Sequence, residues 1–90
     1  MKLTDVVSKH GFKPADELGQ IDNAKLYVRT HKNGIVELLC VQKIGDVFRI
    51  DCIPLIQAQN QLAMVKGYGF HNEIVHKEDC EGYLNLTLAS

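Results

Sequence analysis

Two tight-turn signals separate three runs of strand-forming residues in the middle of the chain. The runs are AKLYVRTH, IVELLCVQK and VFRIDCI, and the signals between them are Asn33-Gly34 and Gly45-Asp46. Asn-Gly between two such runs is the strongest short-range signal for a β-hairpin. The stretch from residue 24 to residue 53 therefore predicts an antiparallel three-strand meander.

The two turns also predict the register of this meander. A two-residue loop at Asn33-Gly34 places Val28 opposite Leu39, and one at Gly45-Asp46 places Leu39 opposite Cys52. The same loops place Val41 opposite Leu26 on one side and Ile50 on the other. Because side chains alternate across a strand, both turns predict the same core face. Its members are Leu26, Val28, Ile35, Leu39, Val41, Phe48, Ile50 and Cys52.

The opposite face of the predicted sheet is half apolar, and the middle run IVELLCV is apolar almost throughout. A strand of that composition is usually covered on both sides. Apolar surface left uncovered on a small domain marks an interaction site. We therefore predict a non-enzymatic protein-interaction module that forms a homodimer or binds another protein. The interface candidates are Tyr27, Val36, Leu38, Cys40 and Val47.

One helix is predicted before the meander in the chain and one after it. Residues 3–10 form a short helix that Gly11 can end in the left-handed conformation. Pro54 suits the first position of a second helix, LIQAQNQLAMVK. The apolar stripe of this second helix is Leu55, Ala58, Leu62 and Val65.

The C-terminal part of the chain predicts two more strands, FHNEIVH and YLNLTLA, joined by the turn KEDCEG. Leu84, Leu86 and Leu88 alternate and are expected to face inward. Residues 1–90 are thus expected to form a single α+β domain. It combines a small antiparallel sheet with two helices, in the order α-β-β-β-α-β-β.

Composition excludes several classes of partner. The formal net charge is −1, from 10 basic and 11 acidic residues, so no general attraction to phosphate is expected. No apolar run approaches the roughly 20 residues of a membrane span, and we expect no membrane partner. Three cysteines at wide spacing and the absence of an export signal predict reduced thiols and a cytoplasmic protein.

The stretch KGYGF, residues 66–70, defines an alternative site. It resembles the opening of the RNA-contacting signature of RNA-recognition motifs, and LYV at residues 26–28 resembles the second signature of that family. The resemblance implies that bases stack on Tyr68 and Phe70 and that Lys66 contacts a phosphate.

The pattern departs from that family at His71 and Glu73, where an apolar and an aromatic residue would stand. The β-rich run after Asn33-Gly34 would also have to be a helix. Nucleic acid is therefore not the partner we expect, and binding through Lys66, Tyr68, Phe70 and His71 stays an alternative. A second alternative is a small-ligand site near Gly67 and His71.

No catalytic or metal-binding pattern is found. His71 and His76 would point to opposite faces of one strand, and a zinc site needs four converging donors or three plus water. Cys80 lies between Asp79 and Glu81, whose charges disfavour the thiolate. We predict no enzyme activity, no cofactor and no metal site.

Overall fold

The computed structural model of the chain describes residues 2–16, 23–32, 34–58, 61–64 and 71–89. Within these residues the chain forms a short helix, six strands, one turn of 3-10 helix at Lys77–Asp79 and a second α-helix. The bounds are α1 Leu3–Ser8, β1 Lys13–Pro14, β2 Ala24–Thr30, β3 Ile35–Ile44, β4 Val47–Ala58, β5 Gln61–Met64, β6 His71–His76 and α2 Cys80–Leu88.

All six strands belong to one antiparallel sheet. The strand order is β1-β2-β3-β4-β5, and β6 also pairs with β4. Strand β4 has twelve residues, and on the edge away from β3 it pairs first with β6 and then with β5. The predicted α+β class, with an antiparallel sheet and two helices, is confirmed, although the second helix lies elsewhere in the chain.

The turn between β3 and β4 is the predicted one. Ile44 pairs with Val47 across Gly45-Asp46, and Gly45 has a φ of +58°, which glycine adopts without steric cost. Leu39 lies opposite Cys52, and the predicted pair of Val41 and Ile50 is also present. The register of this hairpin is therefore confirmed.

The turn between β2 and β3 is longer than predicted, and the register of β2 is consequently wrong by one residue. Thr30 pairs with Val36, so five residues separate the paired positions instead of two. The His31 N–H donates to the Ile35 carbonyl at 2.8 Å and closes the connection. A shift by one residue moves every side chain of a strand to the other face. Tyr27 now lies opposite Leu39 on the core face.

The core lies between the sheet and the two helices, which pack on the same face. Tyr27 is 2% exposed, and its hydroxyl lies 3.1 Å from Thr4 Oγ1 on α1. Among the described residues, the buried cluster comprises Val6, Val7, Phe12, Tyr27, Leu39, Val41, Ile50, Cys52, Cys80, Leu84 and Leu88.

The prediction of a helix after Pro54 is wrong, because its described residues, 55–58 and 61–64, lie in strands. Strand β4 runs through Pro54 to Ala58 and then pairs with β5. Pro54 is tolerated there because of its register. Counting from the two-residue turn, the pair of Glu37 and Pro54 is a non-hydrogen-bonded one. The proline nitrogen therefore points away from β3, to the other edge of β4. At that edge Pro54 lies between the residues paired with β6 and those paired with β5. No described strand has to accept a hydrogen bond from this position, so the missing N–H costs no ladder bond there.

The strand predicted over YLNLTLA is also wrong, because Cys80–Leu88 is helix α2. Leu84 and Leu88 are buried at 0% and 2% exposure, whereas Leu86 is 81% exposed. Burial at every fourth residue but not at every second is the helical period. The turn before this strand is likewise replaced, by the 3-10 turn Lys77–Asp79.

Both helices are short, with six and nine residues. Helix α1 ends near Gly11 as predicted. The Phe12 N–H donates to the Val7 carbonyl at 3.2 Å and the Gly11 N–H to the Ser8 carbonyl at 3.1 Å, which are the two bonds of a Schellman motif. Gly11 itself has a φ of +87°. Neither helix of the described ranges has the length and apolarity to cross a membrane.

Candidate functional site

The sheet face opposite the helices, which we call the outer face, carries apolar side chains on four of its strands. Neither helix packs against it, because both contribute their buried side chains to the core cluster on the other face. Its apolar members are half-buried, except Ile44 and Ile74, which are 50% and 64% exposed. By register they are Ala24, Leu26, Val28, Val36, Leu38, Cys40, Ile44, Val47, Ile53, Leu55 and Ile74.

Four of the five predicted interface residues lie on the outer face: Val36, Leu38, Cys40 and Val47. The fifth, Tyr27, does not, because the shifted register of β2 turns it into the core. The same shift brings Leu26 and Val28 to the outer face, where the sequence had not placed them. An interface on this face would therefore use the β2 aliphatic side chains in place of Tyr27.

Two charged side chains lie among these apolar residues. Arg49 Nε is 3.4 Å from Asp51 Oδ2, and the Asn72 amide also donates to the Asp51 carboxylate. Cys40 is the partner of Asp51 on β3. Burial raises the pKa of the Cys40 thiol, and the Asp51 carboxylate raises it further. A third charged side chain, that of Lys13 on the edge strand β1, lies on this face opposite Val28 by register. The outer face thus carries two positive charges and one negative charge within an apolar surround.

A partly buried polar cluster around Arg29 lies on the other face of the sheet, near the ends of both helices. Arg29 Nε and Nη2 donate to Glu37 Oε1 at 2.9 and 2.7 Å. His31 Nε2 also contacts this oxygen, and Cys52 Sγ lies 3.6 Å from Glu37 Oε2. Arg29 and His31 are thus on the opposite face of the sheet from Arg49.

Arg29 also binds the ends of the two helices. Its Nη1 donates to the carbonyl oxygens of His10 and Leu88 at 2.7 and 3.1 Å. Its guanidinium lies 4.5 Å from the centre of the Phe12 ring, which is cation–π geometry. A further bond of 2.9 Å joins His10 Nε2 to Asn85 Oδ1 on α2. We interpret this cluster as structural, because the donors and acceptors in it are paired with one another.

The Arg29 cluster predicts a pH dependence of stability. Burial by itself would raise the pKa of Glu37, but the hydrogen bonds from His31 and Arg29 and their positive charges outweigh it and hold that pKa below its ordinary value of 4.5. A carboxyl whose folded pKa is lowered stabilises the fold above its unfolded pKa. This contribution is lost as the pH falls below about 4.5 and through the lower folded value.

We therefore expect Glu37→Gln to be less stable than the unmodified protein at pH 7, with the gap closing as the pH falls from about 5 towards 2. Chemical denaturation at a series of pH values measures the two free energies of unfolding. A gap that stays constant over this range would show that Glu37 is not held ionised by its neighbours.

The cysteines show no sign of a reactive site. Cys52 and Cys80 are buried. Burial, followed by the Glu37 carboxylate, raises the pKa of Cys52 to about 12, and burial raises the pKa of Cys80. All three cysteines are free thiols. Among the residues that the structure describes, no three His, Cys, Asp or Glu side chains are grouped to hold a metal ion.

An open cleft of about 640 Å³ lies between the start of α1 and the core face of β2, β3 and β4. Tyr27, Val41 and Phe48 line its apolar part. Lys2, Lys25, Lys43 and Asp5 are exposed at its rim. Sequence analysis did not single out these lysines, because an exposed lysine carries no periodic signal until the fold shows what surrounds it.

The residues of the alternative KGYGF site, Lys66, Tyr68 and Phe70, lie outside the described residues, as does the side chain of His71. The flanking strands are placed: β5 ends at Met64 and β6 begins at His71, opposite Cys52. Comparisons of the chain with protein-family models, with curated proteins and with solved structures find no match.

Proposed function

We propose that this protein is a non-enzymatic interaction module that self-associates through the outer face of its sheet. One observation carries the proposal: eleven described apolar side chains lie across β2, β3, β4 and β6 on the face that the helices leave open. Uncovered apolar surfaces of this kind mark interaction sites on small domains. The apolar middle strand β3, buried on one face, would then be covered on both.

The area of the outer face supports a second copy of the chain as its partner. Four strands about 4.8 Å apart and about nine residues long cover roughly 600 Å². Two such faces packed together would bury more than the approximately 1,000 Å² of total surface that a specific interface needs. Aligned packing of two sheets about 10 Å apart is a common way to bury such faces.

The charges of the outer face also suit a copy of itself. A two-fold interface brings the same patch of both subunits together, so the patch must be self-complementary. Arg49 and Asp51 carry opposite charges at neighbouring positions of β4. In a two-fold pair, Arg49 of one subunit can meet Asp51 of the other. Lys13 is exposed on the edge strand β1, so its ammonium group can stay in solvent at the rim of the interface.

Leu38→Lys is expected to convert the dimer into a folded monomer, because the new ammonium group would have to be buried at the centre of the face. Size-exclusion chromatography with light scattering measures the mass, and circular dichroism checks the fold. The matched control is Leu86→Lys, on α2 and 81% exposed, which should leave the dimer intact. A monomeric unmodified protein at about 100 µM, or equal effects of the two lysines, would contradict the proposal.

Cys40 offers a second measurement of the same interface. It lies on the outer face, while Cys52 and Cys80 are buried in the core. Alkylation of Cys40 by iodoacetamide, followed by mass spectrometry, should be at least about fivefold slower in the unmodified protein than in Leu38→Lys. Equal rates in a dimeric sample would place the interface elsewhere. The three free thiols also support our proposal of a reducing, cytoplasmic location.

Nucleic-acid binding through KGYGF stays a prediction of the sequence. Absorbance at 260 and 280 nm, read in the same chromatographic run, tests it. Bound nucleic acid would give a high ratio of these two values and an affinity that falls steeply with salt. A monomer that carries nucleic acid would favour this alternative over the dimer.

A further inference from the structure

The open cleft beside α1 combines an apolar floor with positive charge, and it lies on the helix side of the sheet, away from the outer face. Tyr27 and Val41 are 2% and 1% exposed at its base, and Phe48 is partly buried against them. A volume of about 640 Å³ lies within the range of small-molecule sites, about 300–1,000 Å³. The cleft therefore has the size and lining of a ligand site.

The pairing of β2 with β3 determines the positions of two rim lysines, Lys25 and Lys43. Lys25 on β2 pairs with Val41 on β3, and Lys43 is two residues further along β3. Lys25 and Lys43 are thus diagonal neighbours on the same face of the sheet, a separation of about 7–8 Å or less that long side chains can span. The Lys43 N–H donates to the Asn23 carbonyl at 2.8 Å, which holds this end of β3 in place.

The positive charge of the rim is not neutralised by the described residues. The ion pairs among them use Arg29, His31, Arg49 and Lys77 as cations, and none uses a lysine of the cleft. Asp5 is the one carboxylate among the lining residues, against three lysines. Like charges at neighbouring positions of a sheet face repel each other, so an anion bound between them would stabilise the fold.

We propose that the cleft binds a small anionic amphiphile. Its apolar body would lie on Tyr27, Val41 and Phe48, and its terminal carboxylate or phosphate would lie between Lys25 and Lys43. Ammonium groups bind either anion as point charges, so the shared chemistry is one anionic group at the end of an apolar chain. This site does not depend on self-association, because it opens on the other side of the sheet.

The test titrates octanoate, octyl phosphate and octanol into the 90-residue chain and follows backbone amide shifts by NMR. Octanoate or octyl phosphate should shift the amides of Lys25, Val41 and Lys43 saturably in the millimolar range or below. The tighter of the two identifies the anionic group. Octanol, which has the same body without the charge, should bind at least about tenfold more weakly. Shifts confined to Val36 and Leu38, equal affinity for octanol, or no saturable shift would overturn the proposal.

A matched pair of variants separates site charge from overall charge. Lys25→Gln/Lys43→Gln should weaken octanoate binding at least about tenfold. Lys9→Gln/Lys32→Gln removes the same two charges from exposed lysines outside the cleft and should leave the affinity within about twofold. Equal weakening by both pairs would show a general charge effect and overturn the site. If a variant fails to fold, the difference in affinity between octanoate and octanol for the unmodified protein still tests whether the site recognises the anionic group.

Discussion

Replacing Arg29 with methionine is expected to lower the free energy of unfolding by about 3 kcal/mol. Methionine keeps an apolar stem of similar length but removes the guanidinium. Glu37 would then lose two hydrogen bonds, and the carbonyls of His10 and Leu88 would lose their donor. Breaking a buried ion pair costs about 3–5 kcal/mol. We expect the lower end because the Arg29 and Glu37 side chains are 13% and 21% exposed.

Urea denaturation at one fixed protein concentration measures this loss, since self-association would otherwise contribute to the stability. The control is Lys77→Met, which breaks a 3.8 Å pair with Asp46 whose side chains are 61% and 85% exposed. A surface pair of this kind is worth less than about 1 kcal/mol. Losses of equal size in the two variants would show that the Arg29 cluster contributes no more than a surface ion pair.

Two further variants identify the cause of the Arg29 loss. Arg29→Met/Glu37→Met should recover part of the stability, because no partly buried carboxylate is then left without its guanidinium partner. Arg29→Lys keeps the charge but cannot reach Glu37 and two carbonyls at once, since an ammonium group lacks the planar fork. We expect it to remain clearly less stable than the unmodified protein. Full stability of Arg29→Lys would mean that charge alone matters.

Leu84→Ala is expected to lower the free energy of unfolding by about 3 kcal/mol, while Leu86→Ala changes it by less than about 0.5 kcal/mol. Leu84 is fully buried in the core cluster, so its truncation leaves a cavity beneath α2. Leu86 is 81% exposed on the same helix, and alanine there favours the helix slightly. Urea denaturation of the two variants at equal concentration gives the comparison.

This pair of variants also tests the secondary structure of the C-terminal segment. On a strand, Leu84 and Leu86 would point to the same face and both alanine variants would lose stability together. On a helix they lie about 200° apart, and one of them must face solvent. Similar losses at the two positions would therefore contradict α2.

The hairpin of β3 and β4 could be predicted from the sequence because its determinants are local. Gly45 takes the positive φ that the tight turn requires, and the apolar residues on both sides alternate in phase. The turn and the alternation gave the same register, and the structure has it. The end of α1 at Gly11 is local in the same way.

The register of β2 could not be predicted in this way, because either of its faces could be buried. Leu26 and Val28 form one face, and Tyr27 and Arg29 form the other. Hydrophobicity alone favours burying the aliphatic pair. In the structure Tyr27 and Arg29 face the helices, where both side chains have partners: Thr4 for the tyrosine hydroxyl, and the carbonyls of His10 and Leu88 for the guanidinium.

In the candidate sites, too, the parts set by local sequence could be predicted and the parts set by strand pairing could not. The β3 and β4 members of the outer face were grouped correctly by alternation alone, and Tyr27 was misplaced because it lies on β2. The lysine cleft was not predicted at all. Lys25 and Lys43 are eighteen residues apart in the chain, and only the pairing of β2 with β3 makes them neighbours.

The sequence by itself determined the α+β class, the central hairpin and the end of the first helix, because turns and caps depend on residues close together in the chain. Tertiary structure decided the rest. Leu84 and Leu88, four residues apart, share a face on a helix and on a strand alike, as do Ala58 and Leu62 within the helix predicted after Pro54. After Pro54 the chain forms a strand because β3 is long enough to pair with it. Around Leu84 and Leu88 the chain forms a helix, whose apolar side packs against α1 and Phe12. In both cases a partner distant in the sequence selected the structure.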